Sequence, residues 1–242
     1  MTLTVSPLEG LPEVRPGADL AELVTKCHLV EEGDVVVLAH KVVSKAEGRV
    51  VRLDEVEPSA RASELAGSDG DARQVEVVLR ESVRVVRTRP PLVIAETRHG
   101  FVCASAGVDA SNAPEAGTVV LLPLDPDASA RDLRARLHEL TGRTVAVIVT
   151  DSFGRAWRQG TTDVAIGVAG LAPLVDLRGV RDAAGYDLRS TQIAVADELA
   201  GAAELVMGKT SGIPGAVVRG FAAEGDGSAR DLVIPAERDL FR

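Results

Sequence analysis

The feature that most restricts the fold is the run Val145-Ala146-Val147-Ile148-Val149. Five consecutive apolar residues, three valines and an isoleucine among them, fit a short strand buried on both faces. The residues just beyond this strand are equally informative. Thr150, Asp151, Ser152, Phe153, Gly154, Arg155, Ala156, Trp157 and Arg158 place a carboxylate, hydroxyls and two arginines where the apolar run stops. Oxygen donors at a strand end suit a hard cation such as Mg²⁺, which prefers one or two carboxylates plus phosphate oxygens. Guanidinium groups bind phosphates through paired hydrogen bonds. The alternative is that Asp151 only caps a turn that ends the strand, with both arginines in solvent.

The rest of the chain sets the bounds. Its 242 residues suffice for one large domain or two intimate subdomains with a proper core. Apolar residues make up 45% and charged residues 26%, as in ordinary soluble proteins. The net charge of −9 leaves no basic surplus to neutralise a nucleic-acid backbone. Aromatic residues, at 2%, are too few for a base-stacking surface. No apolar stretch approaches the ~20 residues that span a bilayer. The opening MTLTVSPLEG lacks the regions of a signal peptide. No membrane partner and a cytoplasmic location are therefore expected. Cys27 and Cys103 stand far apart without a C-x-x-C context, which reads as a reduced pair.

Periodicity and breakers predict helices over 18–30, 59–66, 72–82, 128–141 and 188–207. Strands are predicted over 35–39, 83–86, 92–95, 101–104, 119–122, 145–149, 216–218 and 232–234. The helix at 128–141 offers Leu133, Leu137 and Leu140 to a core. The longest helical signal, 188–207, offers Ile193, Leu199, Leu205 and Val206, with Ser190 or Thr191 as its cap. Strands and helices alternate without the regular rhythm of a doubly wound sheet, so a mixed arrangement with subdomain insertions is expected.

Four further polar segments could carry chemistry. Gly10-Leu11-Pro12-Glu13-Val14 could bring backbone groups to a ligand, or be a plain turn. Residues 40–49 read as a polar loop in which Lys41, Lys45 and Arg49 could meet phosphate and Ser44 could bond phosphate or base. It lacks Walker A spacing and could equally be a solvated basic loop. In Cys103–Asn112 the small residues allow close backbone approach, and Asp109 and Asn112 offer oxygen donors. Asp109 is the natural partner of Asp151 around one divalent ion, unless it forms an Asx turn before Pro114. Met207-Gly208-Lys209-Thr210-Ser211-Gly212-Ile213-Pro214 suits a nucleotide-cradling loop, while Gly208 also ends the preceding helix. The four histidines show no metal-ligand spacing, and no nucleophile elbow is present.

In this order, these segments resemble the coenzyme F420-0:γ-glutamyl ligase family. The matching blocks are GLPEV at 10–14, VVSKAEGRV at 42–50, HGFVCASAGVDASN at 99–112, TDSFGRAWRQG at 150–160, VAIGVAGL at 164–171, STQIAVADELA at 190–200 and VMGKTSGIPGAVVRG at 206–220. They cover almost the whole chain. The resemblance implies an α+β fold with mixed sheets, two intertwined subdomains without a separate linker, and a homodimer. It implies a GTP-dependent ligase that joins L-glutamate to coenzyme F420-0, a deazaflavin, and then adds further γ-linked glutamates. Mn²⁺ or Mg²⁺ serves as cation, with K⁺ as helper. Asp109 and Asp151 would be the metal carboxylates and Ser152 a further ligand, with Arg155 and Arg158 beside the phosphates. Leu11, Pro12, Glu13, Val14, His40, Ser44, Lys45, Asn112 and the loop Met207–Pro214 would contact GTP. A kinase that stops after phosphoryl transfer would use the same loops. So would a GTP-binding regulatory module without turnover.

Two departures stand out. Members of the family can carry an acidic residue directly after the glycine of the last loop, as a ligand to a second metal. Here that place is Lys209, which cannot ligate a metal while protonated. His40 stands where other members have small polar residues. Some actinobacterial relatives continue into a flavin-binding, nitroreductase-like domain, which would begin near Asp239-Leu240-Phe241-Arg242. A stand-alone ligase or the ligase domain of such a bifunctional protein would both fit.

Overall fold

The computed structural model describes residues 2–240, so Met1, Phe241 and Arg242 lie outside the described residues. The fold is α+β. Its main sheet has five strands: β1 (Thr4–Pro7), β2 (Val35–Ala39), β8 (Ala146–Arg155), β9 (Arg158–Ala169) and β12 (Gly215–Arg219). They lie in the order β1-β12-β2-β8-β9. Of the neighbouring pairs in this sheet, β2 with β8 is the parallel one, and the other three are antiparallel. The apolar runs Val35–Leu38 and Val145–Val149 are fully buried, because helices α1 (Leu20–Cys27), α5 (Pro126–Thr141) and α6 (Val195–Met207) contribute to the same core. Asp19 caps α1 by accepting the Glu22 N–H at 3.0 Å, and Asp125 caps α5 by accepting that of Ala128 at 2.9 Å.

A second buried cluster is separate from the first. It joins α3 (Ala60–Ala66), α4 (Ala72–Glu81), β5 (Leu92–Thr97) and β7 (Thr118–Val120) through Ala62, Val75, Val78, Ala95 and Val119. Here β4 (Ser82–Arg89), β5 and β6 (Val102–Ala104) form a three-stranded antiparallel sheet, and β3 (Val50–Arg52) pairs with β7.

Several expectations are corrected. Residues 40–46 are not a loop but a helix, α2 (His40–Ala46), whose Val42 and Val43 enter the main core. Strand β8 does not stop at Val149. After a bulge between Val149 and Thr150 it continues to Arg155, paired with β9 in a hairpin. Asp151 therefore lies inside a ladder and caps no strand-ending turn. Residues 188–194 are not helical: Gln192–Ile193 form β11 against β10 (Val175–Asp176), and the Leu177 N–H donates to the Thr191 carbonyl. Ser190 and Thr191 thus cap no helix. Leu205 and Leu140 are exposed, each on the outer side of a helix whose inner side carries Leu199 and Ala203 or Leu133 and Leu137. Residues 229–232 form a 3₁₀ turn in place of a closing strand.

The outer edge of the main sheet is covered in an unusual way. Among the described residues, no strand pairs with β9 on its far side. Its outward N–H groups at Asp163, Ala165, Val168 and Gly170 donate instead to the carboxylates of Glu204, Asp197, Asp127 and Asp226. The step of three between 165 and 168 follows from the bulge, which reverses which residues face outward. An edge closed by side chains offers no row of free donors to another strand. The α5 terminus presses so closely here that a Cβ on Gly167 would lie 2.2 Å from the Pro126 carbonyl oxygen.

Candidate active site

The site follows from the strand register. In the parallel pair, Ala39 stands opposite Thr150, so the next residues, His40 and Asp151, emerge side by side where β2 ends and its pairing with β8 stops. The His40 Nε2 atom lies 3.4 Å from Asp151 Oδ1. Strand β12 runs the other way, so the loop 207–214 that precedes it reaches the same end, and Ala39 N–H donates to the Pro214 carbonyl at 2.8 Å. Strand β1 leaves at that end too and delivers residues 10–14: Leu8 N–H donates to the Gly215 carbonyl at 2.9 Å. Loops far apart in sequence thus meet where the parallel pairing of β2 with β8 ends, the side of a sheet on which α/β proteins usually hold ligands.

They enclose a cavity of about 350 Å³. Leu11, Pro12, Glu13, Val14, His40, Lys45 and Asn112 line it, as do Asp151, Ser152, Met207, Gly208, Lys209, Gly212, Ile213 and Pro214. The Lys45 ammonium donates to Glu13 Oε1 at 2.6 Å and ties the first loop to α2. Other candidates stand elsewhere. Ser44 is buried behind the wall, within 3.3 Å of His40 Nδ1. Thr210 and Ser211 do not line the cavity, and the Ser211 hydroxyl turns back onto the Met207 carbonyl. Arg155 and Arg158 face each other across the exposed tip of the β8–β9 hairpin and do not line the cavity. Arg49 is held by Glu81 at 2.8 Å and the Leu122 carbonyl at 3.0 Å.

The two expected metal carboxylates differ in setting. Asp151 lines the cavity, with Oδ1 accepting the Ser152 N–H at 2.7 Å. Asp109 lies one side chain behind the wall. Its Oδ2 is 2.6 Å from the ammonium of Lys41, and Lys41 itself lines the cavity. Its Oδ1 accepts the Ser111 N–H at 2.7 Å, an Asx turn. Burial works to raise the pKa of Asp109, but the bonds from Lys41 and Ser111 outweigh it and hold the carboxyl below its ordinary value.

The sequence reading missed Asp163 and Glu204, both on the cavity wall. Asp163 is buried and accepts the hydroxyls of Thr150 and Ser152, each at 2.5 Å. The Lys209 ammonium donates in turn to the Ser152 hydroxyl. A lysine, a serine and an aspartate thus form one connected chain on the cavity wall. The available signal was the run Thr161–Ile166 after Gly160: as a strand returning along β8, it places Asp163 opposite Ser152.

Among the described residues, no group of three or more His, Cys, Asp or Glu side chains could hold a metal ion by itself. The donor set fits a cation completed by a ligand. Among the described residues, Asp151 has one oxygen without a protein partner, and the adjacent His40 Nε2 is buried without a hydrogen bond. A divalent ion there would rest on Asp151 and phosphate oxygens, as Mg²⁺ does at nucleotide sites. Asp109 would join it only by releasing Lys41.

Residues 10–220 match the family model described as F420-0:gamma-glutamyl ligase. The chain belongs to that family. It is 50% identical to the coenzyme F420:L-glutamate ligase of Methanopyrus kandleri over 248 residues, covering all of this chain and 98% of the relative. The ligase of the same name from Archaeoglobus fulgidus is 46% identical, covering all of this chain and 97% of the relative. That of Methanothermobacter thermautotrophicus is 43% identical, with both chains covered in full. The matched span takes in every residue that lines the cavity.

Proposed function

We propose that the chain is a GTP-dependent ligase that joins L-glutamate to coenzyme F420-0 and then adds further γ-linked glutamates. The observation that carries this reading is the cavity itself: the loops at 10–14, 112–113, 150–152 and 207–214 converge with α2 on one space in a member of this ligase family. Three lysines on its wall, Lys41, Lys45 and Lys209, suit a triphosphate, and the backbone-rich loops suit a nucleoside. Mg²⁺ or Mn²⁺, with K⁺ as a helper, would neutralise phosphate charge. Asp151 would hold the divalent ion, joined by Asp109 and Ser152. The protein would work as a homodimer.

A carboxylate does not form an amide in water without activation. The acceptor carboxylate attacks the γ-phosphorus of GTP, the bond to the bridging oxygen breaks, and an acyl phosphate and GDP result. The glutamate amine then attacks the acyl carbon, phosphate leaves, and the amine loses a proton. The residues contribute position and charge, which is the larger part of phosphoryl-transfer catalysis. Lys209, bonded to Ser152 and through it to Asp163, would supply a cation to the negative charge that builds on the transferred group.

The test is mass spectrometry of the chain incubated with F420-0, GTP, Mn²⁺ and glutamate. Products heavier by successive glutamyl residues are expected, and ¹⁸O placed in the acceptor carboxylate should appear in released phosphate. GTP hydrolysis without a glutamyl product would overturn the ligase reading, and phosphate free of ¹⁸O would overturn the acyl phosphate.

A further inference from the structure

A second cavity of about 420 Å³ lies beside the first and shares its two main supports. Along β8, Asp151 and Ser152 line the first cavity and Phe153 the second. Along β9, Asp163 lines the first, and Val164 and Ala165 the second. On α6, Glu204 belongs to the first and Asp197 to the second. Seven residues of helix separate those carboxylates, roughly 10 Å along the axis at 1.5 Å per residue.

The wall chemistry differs sharply. The second cavity is mainly apolar, and two of the chain's four phenylalanines line it. The rings of Phe101 and Phe153 meet edge to face, with centroids 6.2 Å apart. His99 stacks on Phe101 at 5.7 Å. Leu232, Val233 and Ile234 close the other side. In a chain this poor in aromatics, such a concentration around a concavity marks a place for a flat apolar ligand. The polar groups on the wall include Asp197, whose Oδ1 accepts the Ala165 N–H at 2.9 Å. Its other oxygen has no protein partner among the described residues and is available to a ring N–H.

We propose that this second cavity binds the fused-ring head of the acceptor, the deazaflavin, while the acceptor's carboxylate reaches the first; this rests on the ligase function proposed above. A ribityl and a phosphodiester separate ring from carboxylate in such a substrate. Two sites of opposite chemistry, about two helical turns apart on a shared hairpin, are what it requires.

Two variants test the proposal. Ile234→Trp fills the cavity from a half-exposed position, and Phe153→Leu removes a ring face at little change in bulk. Binding of F420-0, and of the ribityl deazaflavin without its phosphodiester tail, is followed by chromophore fluorescence. Binding of a fluorescent GTP analogue and oligomeric state are measured on the same samples. Ile234→Trp is expected to weaken both deazaflavins at least ten-fold and Phe153→Leu several-fold, with GTP-analogue affinity within two-fold of the wild type. Deazaflavin affinities that stay within two-fold of the wild type in both variants would overturn the proposal while leaving the ligase reading intact. So would a changed oligomeric state with unchanged ring binding, or loss confined to the tailed compound. A wild-type chain that binds neither deazaflavin and makes no glutamyl product would instead remove the ligase reading, and this proposal with it.

Discussion

Removing the Asp127 carboxylate should cost more stability than removing any other carboxylate that closes the β9 edge. Asp127 Oδ1 accepts the Val168 N–H at 2.8 Å and the Ala229 N–H at 3.0 Å, while Oδ2 accepts the Ser228 hydroxyl at 2.6 Å. Val168 and Ala229 are both fully buried, so neither N–H can turn to water when the acceptor is lost. A buried donor left unsatisfied costs about 1–3 kcal/mol, so Asp127→Ala should cost about 2–6 kcal/mol. For a chain of this size that is a fall in melting temperature of at least about 4 °C. Asp127→Asn keeps an oxygen for the two N–H groups and should cost only about 1 kcal/mol. Asp226→Ala removes one exposed bond at 3.3 Å and should cost less than about 0.5 kcal/mol. Urea and thermal unfolding of the three variants measure the ranking. An Asp127→Ala protein within about 0.5 kcal/mol of wild type, on the scale of a surface change, would refute the claim that these acceptors hold the edge closed.

Asp151→Asn and Asp109→Asn should each lower GTP turnover several hundred-fold, about 3–4 kcal/mol at the transition state, with melting temperatures little changed. If both carboxylates serve one ion, as proposed, the double variant should be little worse; a folded Asp151→Asn protein with full turnover would refute the metal assignment. Burial raises the pKa of Asp197 above its unfolded value, so its charge opposes folding at neutral pH, and that cost fades as the pH falls through the raised value. Asp197→Asn should therefore be neutral or stabilising at pH 7 in urea melts, with its advantage shrinking on acidification; an advantage that grows toward low pH would contradict the sign. Burial first, and the nearby Asp151 charge second, push the Cys103 thiol up to about 12. At pH 8 iodoacetamide should label Cys27 in the native chain and Cys103 only after unfolding, as read by peptide mapping.

How much was legible in the sequence depends on the range of the forces involved. Helices α1, α3, α4 and α5 and strands β2, β5 and β12 lie where apolar spacing and turn residues put them, since those signals are local. The misreadings share a cause in tertiary structure. Polar residues 40–49 looked like a loop, yet Val42 and Val43 find a core and make a helix worthwhile. Asp151 and Ser152 looked like a strand end, yet β9 supplies partners that carry the ladder past them. Leu205 looked like core because its residue type is apolar, and only the placement of α6 on the sheet assigns it to the outside.

The cavity shows the same division at the level of chemistry. Blocks of sequence indicated which loops bear polar groups, and the register of a parallel pair decides that His40 meets Asp151. Nothing local to position 163 says that its carboxylate receives two hydroxyls from β8. That depends on where the hairpin turns, and on the shift of the ladder between Gly154 and Arg155. Without the bulge at Val149 and Thr150, outward N–H groups would continue every second residue from Ala165, and those of Val168 and Gly170 would turn inward toward β8, away from the carboxylates of Asp127 and Asp226. The irregularity that made the strand hard to read therefore lets one hairpin join a buried sheet edge to a polar cavity wall. It also sets the order of importance among the acidic residues. Asp127, Asp197 and Glu204 accept N–H groups of the β9 edge, Asp163 accepts two hydroxyls, and Asp151 stands 3.4 Å from the buried His40 Nε2, which has no hydrogen bond among the described residues. A carboxylate at a cavity wall beside such a nitrogen is the one best placed to serve a ligand.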